Sequence, residues 1–183
     1  MGQYTFTMNS KRFNWQIWME NYPKLDISFN FYLKKDLIKK EDETIFLSAS
    51  HLKKAEYNLE FVNLLINNKR FYDWVIIGCY YTIYHSALAL ITKKGFSSKN
   101  HLATLCALIK FYYVGNKVLN KEEIELVSKS SLQKEEVSYF VYAKEKRETA
   151  SYGISEEFNR LEAEDIHKKT VQFLNKCREI LEF

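Results

Sequence analysis

The chain has 183 residues, with one proline, five glycines and three cysteines, and is 46% hydrophobic and 27% charged. That composition excludes a disordered polymer, a collagen-like repeat and a disulfide scaffold, and the length suffices to bury roughly 70% of the surface an unfolded chain exposes. The net charge of +4 is unevenly spread, with 9 basic and 3 acidic side chains in residues 51–119 against 11 and 14 in residues 120–183.

So few Pro and Gly residues disfavour sandwiches and barrels and point to long helices. The first 43 residues read as an N-terminal arm of short helices, at Asn14–Tyr22 and Ser28–Lys40, ahead of a main bundle over 44–183. From Thr44 the residues Leu52, Ala55, Leu59, Val62 and Ile66 recur at 3,4,3,4 spacing and predict an amphipathic helix ending near Asn67–Arg70. The next helix, over 73–93, holds a run without Asp, Glu, Lys or Arg from Trp74 to Thr92, long enough for a membrane span. His85, Ser86 and the hydroxyl-bearing side chains between Tyr80 and Tyr84 predict instead a core helix of a soluble bundle, with no membrane partner.

Gly95 ends that helix and Ser97–Asn100 supplies capping residues for another, on which His101, Leu105, Leu108 and Tyr112 share a face. Residues 120–136 read as one short helix and a loop. A further helix carries Phe140, Ala143, Arg147 and Ala150 on one stripe, and a closing helix from about Ser155 carries Ile166, Thr170, Phe173, Cys177 and Leu181. The expected fold is all-α, an up-and-down bundle of four to five main helices, with no strand stronger than the competing helices.

Phosphate-binding glycine loops, HExxH, paired-cysteine zinc patterns and nucleophile elbows are all missing from the sequence. Cys79, Cys106 and Cys177 are odd in number and far apart, which predicts buried thiols in a reducing compartment. The first fifteen residues have no signal-peptide core, so a cytoplasmic location is expected. Most aromatic residues fall on apolar stripes and read as core. Polar residues on such stripes are the informative ones. Arg147 interrupts an inward face, as a buried salt bridge or as the floor of an anion-binding cleft. His85 and His101 each read as a hydrogen-bonded core histidine or as a catalytic group, and spacing offers no metal site.

The run from Lys53 to Ile109 resembles the HEPN (higher eukaryotes and prokaryotes nucleotide-binding) domain, particularly its small prokaryotic members. The resemblance rests on Ala55–Glu60, then Tyr80, Tyr81, Tyr84, His85, Leu88 and Gly95, then Lys99 and His101, and further on the Arg147–Gly153 segment with its closing helix. It implies a helical bundle that forms a homodimer, with RNA or a nucleotide as ligand, a nucleotidyltransferase-type antitoxin as partner, and no cofactor or metal. Cleaving members of that family carry Arg, four to six intervening residues, then His. The imidazole moves protons while the guanidinium stabilises phosphate charge.

Here the positions that should hold the histidine are Tyr152, Gly153 and Ile154. A phenol that titrates near 10 is a poor proton shuttle at neutral pH. A formal Arg–His spacing recurs at Arg160 and His167, but in the closing helix. The first expectation is therefore a non-catalytic module of toxin–antitoxin type. It would bind RNA, a nucleotide or a nucleotidyltransferase partner through Lys99, Arg147, Tyr84 and Tyr152, near His85 and His101. The alternatives are a metal-independent RNase that uses Arg147 with His85 or His101, and a structural subunit without a ligand.

Overall fold

The computed structural model describes residues 14–130 and 156–182, with side chains of the last helix described from Arg160 onward. Arg147, Tyr152, Gly153 and Ile154, and the stripe from Phe140 to Ala150, lie outside the described residues. Helix α1 (Ile17–Glu20) and helix α2 (Tyr22–Lys34) open the fold. Between them Asn21 accepts the Lys24 amide at 3.0 Å, and Pro23 occupies the first turn, where its missing N–H costs nothing. Trp18 is buried and donates its indole N–H to Ser28 at 2.9 Å. Trp18, Leu25 and Phe29 belong to the same buried cluster as the later helices, so these short helices help complete the main core.

Strand β1 (Ile38–Lys40) follows and pairs antiparallel with β2 (Phe96–Ser98), Ile38 opposite Ser98 and Lys40 opposite Phe96. No strand was expected here. Three residues carry no legible period, and the ladder depends on Asp36 at φ 54 and Gly95 at φ 87 to turn the chain into and away from it.

Helix α3 (Thr44–Asn67) and helix α4 (Tyr72–Lys93) are joined by four residues, two of them left-handed, Lys69 and Phe71. So short a connection makes them an antiparallel hairpin. Gly78 of α4 lies against Val62 of α3, where an added Cβ would stand 2.4 Å from the Val62 methyl. α4 also packs on helix α7 (Glu156–Leu181) and on helix α5 (His101–Leu108), which explains why it is apolar on nearly every side. It has the length and hydropathy of a membrane span, yet 72% of that apolar window is buried inside the protein.

Asn100 caps α5 by accepting the Ala103 amide at 2.9 Å, and the helix continues as a π-helical segment from Ile109 to Gly115. Gly115 is required there, since a Cβ would meet the Lys110 carbonyl oxygen at 2.9 Å. Tyr112 stays inward despite the changed period and donates its hydroxyl to the Leu90 carbonyl at 2.7 Å. Residues 121–130 form helix α6, the short helix expected in the charged stretch. α7 buries Thr170, Phe173, Cys177 and Leu181, the stripe read from the sequence, with Ile166 half-buried beside them. The protein is thus an all-α bundle with one small ladder among the described residues.

Candidate functional site: a histidine and tyrosine cluster on α4

The two histidines singled out in the sequence lie on adjoining sides of one cluster. His85, on α4, has its Nδ1 3.2 Å from Nδ1 of His51 on α3. The ring centroids are 5.4 Å apart, so the two nitrogens face each other nearly head-on. That is hydrogen-bond geometry between neutral imidazoles: one ring carries its proton on Nδ1 and the other accepts there. It does not suit chelation, because an ion on the line between the nitrogens would sit about 1.6 Å from each, well inside the ~2.0 Å that metal–imidazole bonds need. Among the described residues no three His, Cys, Asp or Glu side chains converge as a metal site.

His101 opens α5 and its Nε2 lies 2.8 Å from the Tyr80 hydroxyl. Tyr84 lies between the two histidines, its ring centroid 4.2 Å from that of His101 and 6.0 Å from that of His85. Its hydroxyl hydrogen-bonds the Thr104 side chain. Tyr84, read as a ligand contact, therefore also serves as packing between α4 and α5. Lys99 is exposed, one residue ahead of the Asn100 cap.

Burial sets the electrostatics. It pushes His85 down to about 4, helped by His51 and Lys54, and it lowers His51 as well. Both rings are neutral at pH 7. The Tyr80 phenol is raised, first by burial and then by Tyr84 and Tyr81, and burial also raises Tyr84. The thiols are inert: burial lifts Cys79 and Cys106 to about 12 and holds Cys177 well above its ordinary value.

One consequence concerns stability. An unfolded histidine titrates near 6.5 whereas folded His85 titrates near 4, so below pH 6.5 the unfolded chain binds more protons. The contribution is complete above about 6.5 and lost as pH falls toward 4, a loss on the order of 2 kcal/mol after allowing for solvent around a half-buried ring. Urea midpoints at about pH 7 and pH 5 check this. The wild type is expected to lose more than His85→Gln, and equal losses would refute it.

His51 is the residue that sequence reading missed. It stands one turn before Ala55 on the α3 stripe, and its meaning arises only from a helix 34 residues later. A histidine bordering a stripe that must pack on another histidine-bearing helix was the available signal. The Arg160 and His167 spacing forms no joint site. Arg160 bonds Glu164 at 2.8 Å, and His167 donates Nε2–H to Asn63 Oδ1 at 2.7 Å. Seven helical residues also separate the two by about 10 Å along the axis.

The HEPN domain family model matches residues 48–180. A protein of Methanocaldococcus jannaschii named as a "putative toxin" is 29% identical over 130 residues, covering 71% of this chain and 78% of that protein. No solved structure gives a significant match. The matched span takes in α3, α4, α5 and nearly all of α7, and with them every histidine described above; the chain belongs to the HEPN domain family.

Proposed function

We propose that this HEPN protein is a toxin-type module that binds RNA or a nucleotide without cleaving it, as a homodimer in the cytoplasm with a nucleotidyltransferase-type partner. The observation that carries the reading is that both candidate acid–base residues are engaged inside the fold, His85 by His51 and His101 by Tyr80. With Tyr152, Gly153 and Ile154 where a cleaving member would hold histidine, Arg147 has no proton-transfer partner close to it in sequence. The 9 to 3 excess of basic residues in 51–119 favours a phosphate-bearing ligand. The apolar side chains Tyr57, Phe61, Leu64, Trp74 and Tyr81, left exposed along the α3–α4 hairpin, suit a second copy of the chain. Free buried thiols suit a reducing cytoplasm.

A neutral His85 is also able to accept a proton, which favours the RNase as the second reading. Incubation of the purified protein with RNA in EDTA separates the two. The expected result is binding that weakens with salt and no cleavage, in wild type, Arg147→Ala and His101→Ala alike. Cleavage by the wild type that either variant loses overturns the module reading in favour of the enzyme. Failure to bind RNA or any nucleotide leaves a structural subunit.

A further inference from the structure

The His51–His85 pair leaves two polar atoms without partners. Each Nδ1 is used by the other ring, but neither Nε2 bonds any described residue, and neither is among the buried side-chain atoms that lack a partner, so both reach solvent. Because the Nδ1 atoms meet head-on, the two Nε2 atoms point away from each other. A single small ligand can therefore meet only one of them.

Lys54 selects which. It lies on α3, one turn after His51, and acts electrostatically on His85. Its ammonium rests over the exposed Tyr57 ring, 4.8 Å from the centroid, and it has no carboxylate partner among the described residues. The groups that face His85 are His51 and Lys54 from α3, Tyr84 from its own helix and, beyond Tyr84, His101 from α5. The charged neighbours that act on His85 are His51 and Lys54, neither of which is ever negative. A site of this kind repels metal cations and attracts anions.

We propose that Lys54 and the outward Nε2 of His85 hold one phosphate group of the ligand, with His51 behind the ring as a positioning residue. The proposal deepens the RNA- or nucleotide-binding reading and rests on it. The proton balance follows from the geometry. An arriving phosphate favours the charged form of His85, so the site takes up one proton from solvent on binding. The imidazolium then has two N–H groups, and both are satisfied. Nε2–H donates to the phosphate oxygen, and Nδ1–H donates to Nδ1 of His51, which must be the tautomer protonated on Nε2. Tyr57, held beside Lys54 by a cation–π contact, offers a face on which a base attached to that phosphate stacks.

The sign of the pH dependence is fixed by this linkage. Free His85 titrates near 4 and the bound residue higher, so between those two values the complex holds a proton that the free protein lacks. Affinity rises as pH falls through that window, by up to about tenfold per pH unit, and is flat outside it.

The test is titration calorimetry of the full chain with a short single-stranded RNA, repeated in buffers of different ionisation enthalpy, which reports protons taken up per binding event. The wild type is expected to take up close to one proton and to bind more tightly at about pH 5 than at about pH 7. His85→Gln, which keeps a donor but does not titrate, should abolish both effects. Lys54→Gln should weaken binding about equally at every pH and leave the proton uptake in place. His51→Ala should reduce the uptake by removing the acceptor behind the ring. Competition by adenosine monophosphate shows whether a free nucleotide occupies the same phosphate position as RNA.

If RNA binds but His85→Gln retains the wild-type proton count and pH profile, the site is wrong while the RNA-binding reading stands. An unchanged affinity in Lys54→Gln, an exposed position where folding is not at stake, also overturns the site. If neither RNA nor adenosine monophosphate binds, the functional reading itself falls, and the phosphate site with it.

Discussion

Phe173→Ala is expected to lower the unfolding free energy by about 3–5 kcal/mol, a large share of the 5–15 kcal/mol that stabilises a typical domain. Phe173 is 1% exposed at the centre of the α7 stripe, in the same buried cluster as Leu174, Cys177, Leu181 and the α4 residues Ala87 to Ile91. Removing the ring takes away its transfer free energy and leaves a cavity whose walls are helices fixed by other contacts. Those walls have little freedom to close, since α4 is held from the other side by α3. A urea titration should show a shifted midpoint with an unchanged slope. A loss below about 1 kcal/mol would mean that α7 does not pack where it is described.

The second large effect is expected at Gly78. A glycine inside a helix gives up about 1 kcal/mol relative to alanine, so Gly78→Ala would stabilise an unpacked helix. Here the new Cβ would stand 2.4 Å from the Val62 methyl, and Val62 is fully buried and β-branched, with one strongly favoured rotamer in a helix. The neighbour cannot swing aside, so the helices must separate. Gly78→Leu is expected to cost about 3 kcal/mol, and Gly78→Ala to show a net loss in place of the propensity gain. Adding Val62→Ala to Gly78→Ala should recover part of that loss, a coupling read by a double-mutant cycle. Additive effects in that cycle would show that the close approach is not what the glycine serves. The substitution also reaches the site. A bond of 3.2 Å between His51 and His85 spans the same two helices and does not survive their separation, so the depressed titration of His85 should relax toward the ordinary value.

Much of the fold was legible because long helices with one buried face announce themselves. The 3,4 repeat from Leu52 to Ile66 and the stripe from Thr170 to Leu181 correspond to α3 and α7, and the absence of a polar face correctly marked α4 as the central helix. The two irregular features were not legible. The β1–β2 ladder has three residues per strand and is set by tertiary contact, and the π-helical turns of Ile109–Gly115 keep Tyr112 inward, so that an ordinary helical stripe predicts the same buried face.

At the site, His85 and His101 stood out because a polar ring on an apolar stripe has to be explained. His51 did not, because its stripe is already satisfied by Leu52 and Ala55, and a sequence does not say which histidines two packed helices bring together. The same reasoning applies to Tyr84, whose place between His101 and His85 reflects packing between helices rather than any local pattern.

The short ladder has a further meaning for how the chain folds. β1 immediately precedes α3 and β2 immediately follows α4, so their pairing closes a loop that runs from Ile38 to Ser98. The entropy of closing a flexible loop grows with the logarithm of its length, and nearly all of this loop is already committed to two helices joined by a tight turn. Once the α3–α4 hairpin has formed, its open end brings the two strands together, and the remaining search spans only a few residues. The ladder is thus a nearly local contact despite its separation in sequence, and it fastens α1 and α2 to the bundle at a cost close to that of an ordinary turn.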